Sequence, residues 1–270
     1  MQQVLNHHHE AQQSVPEGSR HVFGTFYQGS GNYGLDYEDS DVDTKCLIIP
    51  TLKEIALAKK PISTTHIREN NEHIDLKDIR LYLQTFRKQN LNFLEILFTK
   101  YYWLNIWDHF YTEQWKRLVD NREAIAHMDP ARCMKSMKGI LSEKYFAMEH
   151  HYPSRMPWIE KFGYDPKQLH HLLRVDEFIT RYTAGESFAD CLISLQPEYL
   201  IGVKQGRYKL EEARDLANIT YQHGCEVANK FIEQNEHACV PIWIEELLDD
   251  VGYQVIERGI LNDINGGWLT

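Results

Sequence analysis

FYQGSGNYGLDYEDSDVDTKCLIIP, residues 26–50, is the stretch on which the fold reading turns. A strand-like run ends in Gly29-Ser30, ten residues follow (31–40), and Asp41-Val42-Asp43 opens a second run through Cys46, Leu47, Ile48 and Ile49. Side chains alternate across a strand, so Asp41 and Asp43 are expected to project together while Val42 points into the core. Asp75 lies between Ile74 and Leu76, which suits a further strand presenting its carboxylate to the same place. By composition alone, EDSDVD (38–43) reads as a solvated loop. The order of the parts gives it meaning, with Glu38 and Asp39 left as loop acids that add negative potential.

Three converging carboxylates repel. At an effective dielectric near 20, a pair about 4 Å apart interacts by roughly 4 kcal/mol, so an ionised triad calls for cations. Mg²⁺, with Mn²⁺ as a substitute, is a hard cation that keeps waters and accepts substrate phosphate oxygens. Two such ions on Asp41, Asp43 and Asp75 would activate an attacking hydroxyl and neutralise a leaving pyrophosphate in an in-line displacement. Gly29 and Ser30 supply the other half: glycine permits close backbone approach, and successive N–H groups with a serine hydroxyl cradle phosphates. Tyr33 and Gly34 continue that turn and join the expected nucleotide-binding residues.

Working outward, strand-like HVFGTFYQG (21–29) and VDTKCLIIP (42–50) are followed by helical TLKEIALAKK (51–60) and a polar stretch into EHIDLKD (72–78). From about residue 80, apolar residues recur at helical spacing, as in Ile79, Leu83 and Phe86 and then Leu91, Leu94 and Leu97. Helices are expected over 106–120, 130–150, 166–183 and 210–234, punctuated by turns such as HYPSRMP and KFGYDP. The expected class is α+β: a small mixed sheet in a catalytic domain over 1–100, then a mostly α-helical domain over 101–270 closing the site.

The bulk numbers bound the partners. With 270 residues, 43% hydrophobic and 25% charged, the composition is that of a globular enzyme. No run approaches the roughly 20 apolar residues that span a bilayer, and MQQVLNHHHEAQQ lacks a signal-peptide core. No membrane partner and a cytoplasmic location are expected. Five scattered cysteines without a C-x-x-C pair suggest neither disulfides nor a zinc ribbon. The run His7-His8-His9 has no accompanying ligands at zinc-site spacing. A net charge of −10 argues against a long basic groove for nucleic acid, though not against a local basic patch.

The ordered set resembles the nucleotidyltransferase superfamily typified by DNA polymerase beta, whose signature is G-S, a spacer, D-x-D and a later third acid. More narrowly it is similar to the RlaP-like group of bacterial and phage nucleotidyltransferases linked to RNA repair. GSGNYG (29–34) with DSDVD (39–43) matches that group's G-S-x-x-Y-G and D-S-D-x-D. NLNFLEIL (90–97) matches N-x-N-x-x-E-x-L, KQLHHLLR (167–174) is similar to K-x-x-x-H-x-x-R, and Gly206 with Glu211 and Glu212 falls where the group has a comparable turn. The resemblance implies transfer of a nucleoside monophosphate from a nucleoside triphosphate such as ATP to an acceptor hydroxyl, with an RNA or tRNA end heading the acceptors. It implies a bacterial or phage-infected cell as the setting. Asp75 is then the carboxylate expected to help deprotonate the acceptor. AMP transfer to a protein or small molecule, and a non-catalytic nucleotide-binding regulator, stand as alternatives.

Lys167, His171 and Arg174 at i, i+4 and i+7 share a helix face opposite Leu169, Leu172 and Leu173. Periodicity alone makes this a solvated basic face. The resemblance makes the three residues phosphate ligands. Asn92 and Glu95 fit a cap or interdomain hydrogen bond as well as a substrate contact. RCMKSMK (132–138) with Lys144, Tyr145 and Phe146 is read as an amphipathic helix with Met and Phe inward rather than an RNA surface, and YYWLNIW (101–107) as core rather than a stacking platform. The first twenty residues and the tail after 240 carry no recognised motif.

Overall fold

The computed structural model describes residues 1–14, 21–36, 41–70, 72–104 and 108–265. Glu38 and Asp39, and residues 105–107 of the aromatic run, lie outside them.

Five strands form one mixed sheet: β1 (His21–Gln28), β2 (Asp43–Ile49), β3 (Ser63–Ile67), β4 (His73–Asp78) and β5 (Tyr102–Leu104), in the order β3-β4-β2-β1-β5. β2 and β4 pair in parallel and the other neighbours are antiparallel. β1 and β2 are buried along nearly their whole length because both faces of the sheet are covered. One face of β2 sends Leu47 and Ile49 into the main core. The other sends Cys46 and Ile48, with Ile74 and Leu76 of β4, into a smaller cluster completed by Ala11 of α1 (Gln2–Ser14).

α1 gives the N-terminal histidines a structural use. Val4, His7, His8 and Ala11 are its buried residues, an i, i+3, i+4, i+7 stripe. The His7 Nε2 lies 3.0 Å from the Glu72 carboxylate and Nδ1 lies 3.0 Å from the Thr44 hydroxyl. His8 Nδ1 lies 3.0 Å from the Thr25 hydroxyl, and burial pushes its imidazolium down to a pKa of about 4.

After β2, α2 (Leu52–Ala56) is shorter than its sequence suggests, and β3 occupies a stretch expected to be polar connection. Every residue of β3 is exposed, as befits an edge strand. α3 (Ile79–Arg87) buries Ile79, Leu83 and Phe86, as the spacing predicts. The helical body comprises α4 (Leu91–Leu94), α5 (His109–Asp120), α6 (Arg122–Ala126), α7 (Pro130–Ala147), α8 (Met156–Phe162), α9 (Pro166–Thr183), α10 (Phe188–Leu192), α11 (Pro197–Lys204), α12 (Leu210–Asn235) and α13 (Ile242–Asn265). α5, α7, α9 and α12 lie where helices are expected. α13 occupies the tail that carried no motif.

Two aromatic readings need correction. Tyr101 and Tyr102 are exposed rather than core, because β5 is a short edge strand whose flank is left uncovered. Phe146 is also exposed, pointing away from the face on which α7 buries Cys133, Met134 and Met137. One hydrophobic cluster runs from Phe23 and Phe26 of β1 through Leu172 and Val175 of α9 to Leu248 and Val251 of α13. Among the described residues, no helix is long and apolar enough to cross a membrane.

Candidate active site

The turn after β1 is a one-turn 3-10 helix, Ser30–Tyr33, flanked by two glycines in conformations that side chains disfavour. Gly29 has φ 113° and ψ −152°, a region essentially reserved for glycine, and Gly34 is left-handed at φ 69°. A Cβ at Gly29 would meet nothing within 4 Å, so backbone conformation and not crowding demands glycine there.

Beside this turn is a cavity of 160 Å³ lined by Gly29, Ser30, Tyr33, Leu35, Asp41 and Asp43 on one side and Lys167, His170, His171, Arg174 and Lys204 on the other. Space of this size suits a chain of phosphates but not a whole nucleotide, whose sites run to roughly 300 Å³ or more. Asp43 comes from the sheet and Asp41 from the segment before it, while the cations come from α9 and the end of α11. The structure therefore brings together Gly29, Ser30, Tyr33, Asp41, Asp43, Lys167, His171 and Arg174, with Gly34 capping the turn.

Asp41 and Asp43 do not share a strand as expected. β2 begins at Asp43, Asp41 is exposed in the segment before it, and Val42 is half-buried rather than in the core. Asp43 Oδ1 accepts from the His73 backbone N–H at 2.8 Å, with the His73 imidazole 3.3 Å away. Burial raises the Asp43 carboxyl above its ordinary range and Asp41 adds to the rise, while His73 and Lys167 oppose it.

Asp75 is not among the lining residues. The parallel register sets it opposite Lys45, two residues beyond Asp43, so the position beside Asp43 falls to His73. Two residues of strand amount to about 6.6 Å. The Asp75 carboxylate receives the Lys45 ammonium at 3.3 Å and the Thr65 hydroxyl of β3. Lys45 is itself buried, 5.0 Å from the centre of the Phe93 ring. Among the described residues, no group of three or more His, Cys, Asp or Glu side chains could hold a metal ion. The expected three-acid site is thus not assembled. The pair Asp41 and Asp43 remains, and Mg²⁺ is compatible with one or two carboxylates when substrate phosphates supply further oxygens.

On α9, Asp165 caps the helix, accepting from the Lys167 N–H, and Pro166 opens the first turn. His170 Nδ1 lies 2.8 Å from the Leu200 carbonyl; a carbonyl only accepts, so Nδ1 carries the proton and Nε2 is the free acceptor. Burial holds the His170 imidazolium down to about 4. Burial, and then neighbouring His170, Arg174 and Lys167, hold His171 well below its ordinary value. Burial, and then Lys167, likewise lower Lys204, against which Asp41 acts.

Tyr33 is more an anchor than a phosphate contact. It is buried, its hydroxyl donates to Glu95, and the Arg174 guanidinium stacks 3.8 Å from its ring centre. Glu95 is fully buried, and burial raises its carboxyl. The motif residue Asn92, by contrast, is exposed, and Asn90 performs the capping of α4. Sequence reasoning missed Lys45, His73, His170 and Lys204. His170 adjoins a motif histidine and Lys204 ends the apolar run LIGVK, weak signals that only the fold connects to the turn.

No protein-family model matches this chain, and no curated protein matches it.

Proposed function

We propose that this chain is a metal-dependent nucleotidyltransferase that moves a nucleoside monophosphate from a nucleoside triphosphate to an acceptor hydroxyl, with an RNA or tRNA end as the acceptor. The observation that carries this reading is a single cavity with Gly29, Ser30 and two aspartates on one wall and Lys167, His171, Arg174 and Lys204 on the other. Opposed acids and cations around a phosphate-sized space suit a polyphosphate bound together with a divalent ion.

In this reading the triphosphate lies on the Gly29-Ser30 turn, its negative charge met by Lys167, Arg174 and Lys204. Asp41 and Asp43 would hold Mg²⁺ beside the phosphates. The bound ion would offset phosphate charge and favour ionisation of the acceptor hydroxyl. The acceptor oxygen then bonds to the α-phosphorus as the bond to the bridging oxygen breaks, and pyrophosphate leaves with that electron pair. The proton of the acceptor hydroxyl passes to a nearby carboxylate. Asp75 can serve only if Lys45 and Thr65 release it.

The test is incubation with each α-labelled nucleoside triphosphate, Mg²⁺ or Mn²⁺ and a pool of tRNA, short RNA and protein. Label on RNA that disappears in the Asp41→Asn/Asp43→Asn variant supports the proposal. Label on protein moves the acceptor to a protein hydroxyl, and an active double variant removes the two aspartates from the mechanism.

A further inference from the structure

A larger cavity, of 330 Å³, opens on the Gly31 and Asn32 side of the same turn. Its chemistry differs from that of the acid-lined site. Phe98, Lys100, Tyr101 and Arg122 wall it together with Gly31, Asn32 and the apolar side chains of Ala189, Leu192 and Ile193, and none of the described lining residues is acidic. Among the described lining residues, nothing neutralises the two positive charges.

The rings are held in place. Phe98 stacks on Phe188 with centroids 4.9 Å apart, and the Arg122 guanidinium lies 5.6 Å from the Phe98 ring. Arg122 Nη1 also donates to the Val119 carbonyl at 3.3 Å. Tyr101 is exposed but fixed edge-on against Tyr27, 6.0 Å between centroids, and the Tyr27 hydroxyl accepts from the Gly31 N–H at 2.9 Å. A solvent-facing aromatic ring held in position beside two cations suits a ligand carrying both a planar ring and an anion. A volume near the lower end of small-ligand sites fits one nucleotide.

We propose that this cavity binds a nucleoside monophosphate unit, its phosphate on Lys100 and Arg122 and its base against Tyr101 and Phe98. A free mononucleotide and one residue of a single-stranded RNA share that chemistry. The site is separate from the triphosphate site proposed above and does not depend on turnover.

Calorimetric titration without divalent ions tests it, using adenosine 5′-monophosphate, adenosine, inorganic phosphate and a 5′-phosphorylated tetranucleotide. The wild-type protein is compared with Lys100→Gln, Lys100→Gln/Arg122→Gln and Lys167→Gln. Lys100 is exposed, so its replacement leaves the core untouched. The expected result is a mononucleotide site weakened about 10-fold by Lys100→Gln, more by the double variant, and unaffected by Lys167→Gln. Adenosine and phosphate alone should each bind at least about 10-fold more weakly than the monophosphate. Tighter binding of the tetranucleotide assigns the unit to RNA, and equal binding assigns it to a free nucleotide. Mononucleotide binding insensitive to both Lys100 variants overturns the proposal, as does equal affinity for adenosine or for phosphate. Loss of binding in Lys167→Gln alone would support the triphosphate site while removing this one.

Discussion

The Tyr33 hydroxyl donates its hydrogen bond to Glu95, 62 positions along the chain, and so ties the Gly29-Ser30 turn to a fully buried carboxyl group. Removing the donor leaves that group short of a partner in a water-free environment, which costs about 1–3 kcal/mol. Tyr33→Phe is expected to lower stability by that amount in urea unfolding, and Glu95→Gln, which keeps an acceptor, by less. Unfolding midpoints for Tyr33→Phe indistinguishable from wild type would mean that the contact contributes nothing.

Gly29 adopts its φ of 113° with free space where a Cβ would go. The expected penalty of Gly29→Ala is therefore backbone strain of about 1–3 kcal/mol, relieved by a change in the turn. Nucleotide affinity should fall in parallel. Retained affinity with unchanged stability would show that the turn has no dependence on glycine.

Lys45 and Asp75 pair across β2 and β4, and each is a liability without the other. Lys45→Met alone or Asp75→Asn alone should each destabilise by about 1–3 kcal/mol, with the double variant recovering part of the loss. Transfer assays on the double variant separate the two roles of Asp75. Activity that survives makes it a partner for Lys45, and activity lost from a stable protein makes it part of the reaction.

His8 and His170 both have pKa values near 4, lowered first by burial. In the unfolded chain each returns to about 6.5. Below that value the unfolded state binds more protons, so stability present above pH 6.5 is lost as pH falls toward 4. A decline on the order of 3 kcal/mol per group is the upper bound from a shift of this size. Urea unfolding at pH 7.5, 6 and 4.5 measures it, and His8→Leu should flatten the slope. A flat wild-type profile would contradict the burial of these imidazoles.

Cys46, Cys133 and Cys191 are buried with thiols pushed up to about 12, whereas Cys239 is exposed. Since the thiolate is the reactive form, native protein at pH 8 should titrate rapidly with Ellman's reagent at Cys239 and slowly at half-buried Cys225, and all five thiols should react in denaturant. Rapid modification of all five in the native state would contradict this core.

The turn, β1, β2 and the helices α7, α9 and α12 were legible because each follows a local rule: an apolar strand-forming run, a glycine-marked turn or a 3.6-residue stripe. The position of Asp75 was not, since an acid between two apolar residues announces a strand but not its register, and the register hands it to Lys45. α1 escaped because His7 and His8 fill the inward positions that apolar residues usually hold. β3 escaped because an exposed edge strand has no buried face to leave a pattern. Lys204 enters the cavity from a helix 160 or more residues beyond the aspartates, a proximity that no local signal encodes.

The hydrophobic cluster that passes without interruption from β1 into α9 fixes how the cavity can respond to a ligand. Swinging Lys167 away from Asp43 as a rigid arm would expose Leu169, Leu172 and Val175 to water, at roughly 1.5–3 kcal/mol for each side chain. The opposed charges are therefore brought together when the chain folds, and an arriving anion meets groups whose main-chain freedom is already gone. Binding of such an anion should leave the radius of gyration unchanged and be accompanied by little change in heat capacity.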